Sequence, residues 1–448
     1  MSQLRRLPAV GRLLQKSPLA ELTGLYGRQA TRVQAARVLD ALRVEIGTGI
    51  GDDELEDRIR RIPELVRAAL EAEAPPLRRV LNATGIFLHT NLGRAPLPRP
   101  VVDDLRDRLD AYCDLEMDLG SGRRTDRSIR VENLLVTLTG AEAALVVNNN
   151  AAALVLALST LASGREVLLS RSELVEIGGS FRIPDILGTS GSRLVEVGTT
   201  NRTRLADYER AVRPATSLVL KVFSSNFRIR GFAEQVPATR LADFAHRHDL
   251  PLLVDEGSGV ISSHAAPALR RHESFRDLIE AGCDLVCGSG DKVLGGPQAG
   301  LIVGRRSFVD QLRKAPLYRA MRPGRLVLTA LDAVLRRRLA GQPMPIEALW
   351  DETDEPRRRV EQMAARLGGR AVRGEAYLGG GSAPDEAIEG WVLALDAPAE
   401  TASRLRTGEP PVVGYQREGR LILDLRTVDP ADDEALATAV ERALGREL

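Results

Sequence analysis

Short, mainly apolar runs alternate with helical stretches through the middle of the chain, from about residue 140 onward. Such runs are typical of strands in a parallel sheet whose two faces are both covered by helices. The runs occupy residues 143–148, 166–170, 193–198, 217–224, 251–257, 284–290 and 299–304. Residues 237–249 show the helical spacing that separates several of them. The pattern therefore predicts an α/β fold with a mainly parallel seven-stranded sheet.

The two ends of the chain have a different pattern of predicted secondary structure. Short helices are predicted near the start, at residues 17–27 and 30–46. A smaller α+β domain is predicted at the end, with helices at 355–367 and 432–444 and strands at 390–396 and 420–428. We therefore predict a small helical N-terminal domain with its linker at 1–74, a large domain at 75–335 and a small C-terminal α+β domain at 336–448.

Charge sets the first of these domains apart. Residues 1–50 carry eight basic and three acidic side chains, a net charge of +5, and residues 51–75 carry eight acidic and four basic ones, a net charge of −4. A small basic helical domain can follow nucleic-acid phosphates, although a solvated amphipathic face explains the same charges. The whole chain has a net charge of +1 and only 4% aromatic residues, which disfavours a surface that stacks single-stranded bases.

The cysteines, the histidines and the hydropathy of the chain indicate its compartment and whether it binds a metal or enters a membrane. The three cysteines form no CxxC pair, which suits a reducing cytosol, and the five histidines show no zinc-site spacing, so we predict no metal. The first residues lack the long apolar core of a signal peptide. The most apolar stretch, residues 143–162, is interrupted by three asparagines. We predict a cytoplasmic protein that does not enter a membrane.

Lysine is rare in this chain. It occurs at four positions, 16, 221, 292 and 314, among 62 basic residues. Because arginine serves wherever a positive charge suffices, a remaining lysine is a candidate for chemistry that arginine cannot do, such as imine formation. Lys292 lies in SGDKVLGGPQAG, after a predicted strand and among glycines that would admit a flat ligand. A P-loop is excluded because GxxxxGK is absent, and a surface-loop lysine is the alternative.

Two further segments fit the same chemistry. In NNNAAALVLAL (148–158) a strand runs into a helix start, whose free N–H groups and dipole favour a phosphate, although a plain asparagine cap is the alternative. Asp255 ends a predicted buried strand, where its carboxylate can keep a pyridinium nitrogen protonated. It can also be a turn residue or a metal ligand. The order of phosphate site, acid and lysine favours a pyridoxal-phosphate-dependent transferase fold of the aspartate aminotransferase type.

Several motifs point in one direction. They are LNATGIFLHTNLGRAPL (81–97), LTGAEAALVVNNNAAAL (138–154), ELVEIGGSFRIPD (173–185), VEVGTTNRT (195–203), SGDKVLGGPQAG (289–300) and PLYRAMR (316–322). Together they resemble bacterial selenocysteine synthase, L-seryl-tRNA(Sec) selenium transferase, over roughly residues 75–335.

The resemblance implies a chemistry for the loop that carries the lysine. Lys292 would hold pyridoxal 5′-phosphate as an internal aldimine and, once freed by the seryl amino group, would take the Cα proton. A cofactor-bound aminoacrylyl intermediate would then accept selenium from selenophosphate. Asp291 is implied as a catalytic helper. The cofactor-binding residues assigned with Lys292 are Asp255, Asn149, Asn150, Ala151 and Ser289.

The resemblance also implies partners. Arg94, Arg319 and Arg322 would bind the phosphate-like selenium donor, and the spacing of the last two predicts that they share one helical face. The N-terminal domain would grip tRNA(Sec) through shape and phosphates. The family implies a homo-oligomer, a decamer, with active sites between subunits.

The sequence departs from the family pattern close to the predicted site. Glu256, Gly288, Phe223 and Ser172 stand where leucine, phenylalanine, histidine and glycine are usual, and Gly324–Arg325 replaces an Asp-Lys pair. A pyridoxal-phosphate-dependent lyase or transferase of a free small amino acid is therefore an alternative, in which Arg426 would hold the α-carboxylate. A tRNA-binding protein without catalysis is a third.

Overall fold

The computed structural model describes residues 3–16, 18–73, 77–178, 181–224, 227, 229, 231–262, 269, 272–379, 382 and 386–446. The chain divides into two compact units, Met1–Arg79 and Val80–Leu448. The structure does not test the predicted boundaries at 74/75 and 335/336, which stay predictions.

The first unit is helical. Its helices are α1 (Val10–Leu13), α2 (Leu19–Tyr26), α3 (Arg28–Thr48), α4 (Asp52–Arg60) and α5 (Ile62–Glu73). Apolar side chains from α2, α3 and α5, among them Leu22, Leu39 and Val66, form its buried core. Gly27, with φ 83°, separates α2 from α3, a backbone angle that glycine adopts without strain. The helices predicted at 17–27 and 30–46 are confirmed.

The second unit contains fifteen strands and thirteen helices among its described residues. The strands are β1 (Leu81–Asn82), β2 (Ala143–Val147), β3 (Glu166–Ser170), β4 (Glu176–Gly178), β5 (Phe181–Arg182), β6 (Arg193–Val197), β7 (Thr216–Val222), β8 (Leu252–Gly257), β9 (Leu285–Ser289), β10 (Gly300–Gly304), β11 (Arg370–Ala376), β12 (Ile388–Leu395), β13 (Val412–Val413), β14 (Tyr415–Arg417) and β15 (Arg420–Leu423). The helices are α6 (Arg99–Leu109), α7 (Ile129–Thr139), α8 (Asn150–Leu161), α9 (Ile183–Thr189), α10 (Leu205–Ala211), α11 (Ala238–Arg247), α12 (Phe275–Glu280), α13 (Arg306–Lys314), α14 (Pro316–Met321), α15 (Arg325–Leu339), α16 (Glu355–Leu367), α17 (Thr401–Thr407) and α18 (Asp433–Ala443).

The central sheet has seven strands in the order β2-β10-β9-β8-β7-β3-β6. Only β10 runs against its neighbours, β2 and β9. Alternate residues point into two apolar layers: Val254 and Val286 face α7, α11, α12 and α15, whereas Leu253 and Cys287 face α8, α9, α13 and α14. The seven predicted strands and the burial of both sheet faces are confirmed.

Because these strands run in the same direction, the loops that follow them lie together at one edge of the sheet. Strands β2, β7, β8 and β9 end at the same edge of the sheet. The segments that follow them begin at Asn148, Phe223, Ser258 and Gly290. In open α/β sheets this edge is the place where ligands bind.

The last part of the second unit is an antiparallel sheet of order β11-β12-β15-β14. Helices α16 and α18 cover one face, and their apolar side chains pack on Leu393 and Leu423. The strand predicted at 420–428 is too long, because β15 ends at Leu423. Asp424 stops it there by accepting a hydrogen bond from the backbone N–H of Arg426, at 3.0 Å, which begins a 3-10 turn.

Within the part of the chain that the structure describes, no helix combines the length and apolar character that crossing a bilayer requires.

Candidate active site

Lys292 lies three residues beyond the end of β9, at the ligand-binding edge of the sheet. Its side chain is buried, and Nζ donates a hydrogen bond of 3.0 Å to the carbonyl oxygen of Gly257. Burial lowers the pKa of the Lys292 ammonium, and the nearby carboxylates of Asp255, Glu256 and Asp291 oppose that shift. An amine held in this way is closer to the neutral form that attacks a carbonyl carbon.

Asp255 occupies the neighbouring strand end, in β8. Its side chain is buried, and Oδ1 accepts a hydrogen bond of 2.8 Å from Nδ2 of Asn150. Burial raises the pKa of Asp255 to about 6, against the opposing effects of the Asn150 hydrogen bond and the Lys292 charge. Above that pH the group is a desolvated carboxylate. Such a group favours a cationic partner, including a protonated ring nitrogen.

The start of α8 provides a site for an anion. Asn149 caps the helix, because its side chain accepts a hydrogen bond of 2.9 Å from the N–H of Ala152. The N–H groups of Asn150 and Ala151 belong to the first turn, where the helix offers them no carbonyl. Gly300 packs so closely on the Asn149 carbonyl that a Cβ would overlap it. The backbone of β10 therefore packs directly on the residue that caps α8, whose first-turn N–H groups lie at the positive end of the helix dipole and favour a phosphate.

Arg322 lies beside this helix start. The carbonyl of Met321 accepts a hydrogen bond of 3.0 Å from the N–H of Asn148, which joins the end of α14 to the end of β2. The guanidinium of Arg322 lies 5.7 Å from the ring centroid of Tyr318. Its Nε is buried and has no hydrogen-bond partner among the described residues. This arrangement leaves a buried donor free to bind a ligand.

The prediction that Arg319 and Arg322 share one helical face is wrong. Helix α14 ends at Met321, and Arg322 has extended backbone angles of φ −65° and ψ 133°. The following Pro323 explains this, because proline disfavours the helical conformation of the residue before it. Arg319 is exposed on the helix, so the structure brings Arg322 to the α8 start without placing Arg319 on the same face.

Arg94 and Asp291 join the site as an ion pair. Nη1 of Arg94 lies 2.9 Å from Oδ2 of Asp291, next in sequence to Lys292. Arg94 adopts a positive φ of 64°, which is uncommon outside glycine. A hydrogen bond of 3.1 Å from its N–H to the His89 carbonyl contributes to holding this conformation. Nε of Arg94 is buried and, among the described residues, has no partner.

The remaining predicted position is Ser289, the last residue of β9. It is buried at the sheet edge, three residues before Lys292. Gly259 lies so close to the Ser289 carbonyl that a Cβ would overlap it. The loops after β8 and β9 are therefore packed directly on each other.

Sequence reasoning assigned no role to Glu256, which departs from the family pattern. Its side chain is buried, and burial raises its pKa to about 8. Alternation along β8 was the available signal, since adjacent acids on a buried strand must point to opposite faces. Of the other departures, Phe223 donates its N–H to the Asp255 carbonyl at 3.0 Å, and Ser172 Oγ lies 2.8 Å from Ser170 Oγ.

These residues fit pyridoxal phosphate. The α8 start offers donors to a phosphate, Asp255 offers a carboxylate to a ring nitrogen, and Lys292 offers an amine to an aldehyde. Oδ1 of Asn150 and Nε of Arg322 are buried polar atoms without partners among the described residues, as expected where a polar ligand binds. In the described part of the chain, no three or more histidine, cysteine, aspartate or glutamate side chains form a cluster that could hold a metal ion.

Comparisons with known proteins identify the family of this chain. A family model described as SelA, L-seryl-tRNA selenium transferase, matches residues 80–429. The chain is 42% identical to the L-seryl-tRNA(Sec) selenium transferase of Geobacter metallireducens, over 98% of this chain and 99% of the relative. It is 39% identical to that of Aquifex aeolicus, over 99% of both chains.

A solved structure shows the same fold at lower identity. The D-glucosaminate-6-phosphate ammonia-lyase structure superimposes with a TM-score of 0.58 and 20% identity, over 82% of this chain and 96% of that one. The predicted fold class and the predicted family resemblance are both confirmed.

The raised pKa of Asp255 predicts a stability gain on neutralisation. Since the folded-state pKa of about 6 exceeds the ordinary aspartate pKa of 3.8, the folded protein loses stability as pH rises between these values. Without added ligand, Asp255→Asn, which keeps an acceptor oxygen for Asn150, should be more stable than wild type by about 2 to 3 kcal/mol above pH ~6. The advantage should vanish near pH ~4. Denaturant unfolding at both pH values tests this, and a less stable variant at the higher pH would contradict it.

Proposed function

Because this chain belongs to the L-seryl-tRNA(Sec) selenium transferase family, we propose that it converts seryl-tRNA(Sec) to selenocysteinyl-tRNA(Sec) with pyridoxal 5′-phosphate as cofactor. The observation that carries the proposal is the joint presence, at one sheet edge, of a buried Lys292, a buried Asp255 and the free first turn of α8. The full-length similarity to named transferases supports the choice of substrate.

The chain's own residues would hold the cofactor at three points. The first-turn N–H groups of α8 would bind the phosphate, the Asp255 carboxylate would pair with the ring nitrogen, and Lys292 would supply the amine for the aldehyde carbon. The bound cofactor withdraws electrons from the substrate Cα, which acidifies the Cα–H bond and allows the hydroxyl to leave from Cβ.

Lys292 then acts as the base. With the substrate amino group bound to the cofactor in its place, the Nζ of Lys292 would be free to accept the Cα proton. Burial lowers the pKa of the Lys292 ammonium, so the amine is neutral in a larger fraction of molecules than an exposed lysine would be. The Gly257 carbonyl, which accepts a hydrogen bond from Nζ at 3.0 Å, orients this amine.

Selenophosphate is the selenium donor in this proposal, with Arg94, Arg319 and Arg322 as its anion-binding residues. Arg322 and Arg94 support it best, because each has a buried Nε without a partner among the described residues. Asp291 neutralises part of the Arg94 charge and is proposed as a catalytic helper. Charge-assisted bonds from arginine suit a tetrahedral oxyanion.

The helical N-terminal domain at 1–74 is proposed to bind tRNA(Sec). Its exposed arginines 5, 12, 28 and 32 form no ion pair with another described residue, so they are available to phosphates. We propose that the reaction takes place in the cytoplasm, where aminoacyl-tRNA is used in translation.

We further propose that the chain works as a homo-oligomer, with a decamer as the specific expectation. An open cavity of about 980 Å³ in the second unit is lined partly by Tyr112, Met117 and Leu119. These three large apolar side chains are exposed, and such patches mark association surfaces.

The free-amino-acid alternative loses the arginine on which it relied. Arg426 is buried, and its Nε and Nη2 bind the two carboxylate oxygens of Asp424 at 3.0 and 2.6 Å. Nη1 donates to the carbonyl of Ile388 at 2.9 Å. The guanidinium is therefore engaged within the protein rather than available to a substrate carboxylate.

The activity itself gives the first test. With seryl-tRNA(Sec) and selenophosphate, the wild-type protein should form selenocysteinyl-tRNA(Sec), and Lys292→Arg should be at least about a thousandfold slower, because arginine keeps the charge without an imine-forming amine. Lys314→Arg, at an exposed position, is the matched control and should be unaffected. Absence of product from folded wild type, while the Aquifex aeolicus relative is active, would overturn the proposal, as would turnover of free serine.

The anion site gives a second test. Arg322→Ala should raise KM for selenophosphate by at least about tenfold, because a charge-assisted contact is lost, while the KM for seryl-tRNA(Sec) stays unchanged. Steady-state kinetics with each substrate varied measures both constants. Arg442→Ala, an exposed arginine of α18, is the control. An unchanged selenophosphate KM in Arg322→Ala would remove this residue from the donor site.

A further inference from the structure

Glu256 closes the turn that follows β8. Its side chain is buried, and Oε2 accepts hydrogen bonds from the N–H groups of Gly259, at 2.6 Å, and Val260, at 3.4 Å. Its own carbonyl accepts the N–H of Ser258 at 2.9 Å. One side chain thus folds residues 257–260 back onto the strand that carries it.

That turn is in contact with the lysine loop at three points. The Gly257 carbonyl accepts a hydrogen bond from Lys292 Nζ at 3.0 Å, and the Ser258 carbonyl accepts one from the Val293 N–H at 3.0 Å. Gly259 packs on the Ser289 carbonyl with no room for a Cβ. The conformation of the turn therefore fixes the position of the acceptor that orients the lysine amine.

The neighbouring strand leaves space for this carboxyl group. A Cβ on Gly288 would lie 3.0 Å from Oε2 of Glu256 and 2.9 Å from the ring of Phe275. Because Gly288 has no side chain, the Phe275 ring and the Glu256 carboxyl group fill the space together. Phe275 is fully buried and excludes water from this side.

We propose that Glu256 is a positioning residue for Lys292: its side-chain oxygen holds the 257–260 turn so that the Gly257 carbonyl faces Nζ. The inference rests on the proposed function, in which Lys292 holds the cofactor. The length of the side chain matters here, because the oxygen must reach two backbone N–H groups beyond the strand end.

Negative charge on Glu256 is not what the turn requires. Burial raises the pKa of Glu256 to about 8, so near neutral pH the group is mostly a protonated acid, which keeps an acceptor oxygen for the Gly259 N–H. The ionisable groups around it are Asp255 on the same strand, Lys292 on the following loop and the Cys287 thiol on β9. Phe275, from α12, contributes only apolar surface.

Two substitutions distinguish the effect of the length of the Glu256 side chain from the effect of its charge. Glu256→Gln keeps the length and an acceptor oxygen without the charge, whereas Glu256→Asp keeps the acid but is one methylene too short to reach the Gly259 N–H. The measurements are the pyridoxal 5′-phosphate dissociation constant from the visible absorbance of the lysine-bound cofactor, the visible circular dichroism of that band, and the melting temperature.

The proposal expects opposite behaviour from the two variants. Glu256→Gln should bind the cofactor within about threefold of wild type and keep its circular dichroism, whereas Glu256→Asp should bind at least about tenfold more weakly, because a buried hydrogen bond is lost. Phe275→Leu, which loosens the same pocket without removing a turn hydrogen bond, should lower the melting temperature and leave the dissociation constant within about threefold of wild type.

Several outcomes would overturn the inference. If folded Glu256→Asp binds the cofactor as tightly as wild type, the length of the side chain is not required. If folded Glu256→Gln binds it more weakly, the negative charge is required, whatever the aspartate variant does. Equal weakening in Phe275→Leu reduces the role of Glu256 to packing. If the wild-type protein shows no lysine-bound absorbance band, the proposed function is contradicted together with the inference. If the wild-type band is normal and either variant gives one of the results above, only the inference about Glu256 is contradicted.

Discussion

The site depends on taking one amine and two carboxyl groups out of water at the same sheet edge. Lys292, Asp255 and Glu256 are all buried, and for each the largest cause of its pKa shift is burial. Burial weakens the charged form of every member, and attraction between the lysine and the acids restores part of it. As a result, the Lys292 amine is more easily neutral, and the Asp255 carboxylate is stabilised by a cationic partner. These are the properties needed to hold an aldehyde cofactor with a basic ring nitrogen.

The direction of the strands places these groups together. Strands β2, β8 and β9 end at one edge, so their loops meet although they are far apart in sequence. Glycines at positions 259 and 300 let backbones approach where a Cβ would overlap a carbonyl. The backbone itself therefore supplies much of the site, through the α8 start and the Gly257 carbonyl. Two arginines complete it, Arg322 just beyond the end of α14 and Arg94.

Much of this arrangement could be read from the sequence because the central sheet is buried on both faces. Mainly apolar runs that alternate with helical stretches predicted all seven strands, and the scarcity of lysine singled out Lys292. The order of helix start, acid and lysine was informative because each follows a strand of the same direction. These inferences required only periodicity and residue chemistry.

Other features were not predicted correctly from the sequence. The strand predicted from residue 420 ends early because Asp424 accepts a hydrogen bond from the N–H of Arg426 and begins a 3-10 turn, whereas the apolar residues beyond it favoured a longer strand. The shared helical face of Arg319 and Arg322 fails at Pro323, a signal that was present but was outweighed by the i, i+3 spacing. The role of Glu256 depends on the space beside Gly288, which becomes visible only when β8 and β9 are aligned.

The central claim is that one buried lysine forms a covalent bond with the aldehyde cofactor, and chemical trapping tests it most directly. The holoenzyme would be reduced with borohydride, digested and mapped by mass spectrometry. The reduced pyridoxyl-phosphate mass should appear on Lys292 and on none of Lys16, Lys221 and Lys314. The modification on a different lysine, or on none while the wild-type enzyme is active, would contradict it.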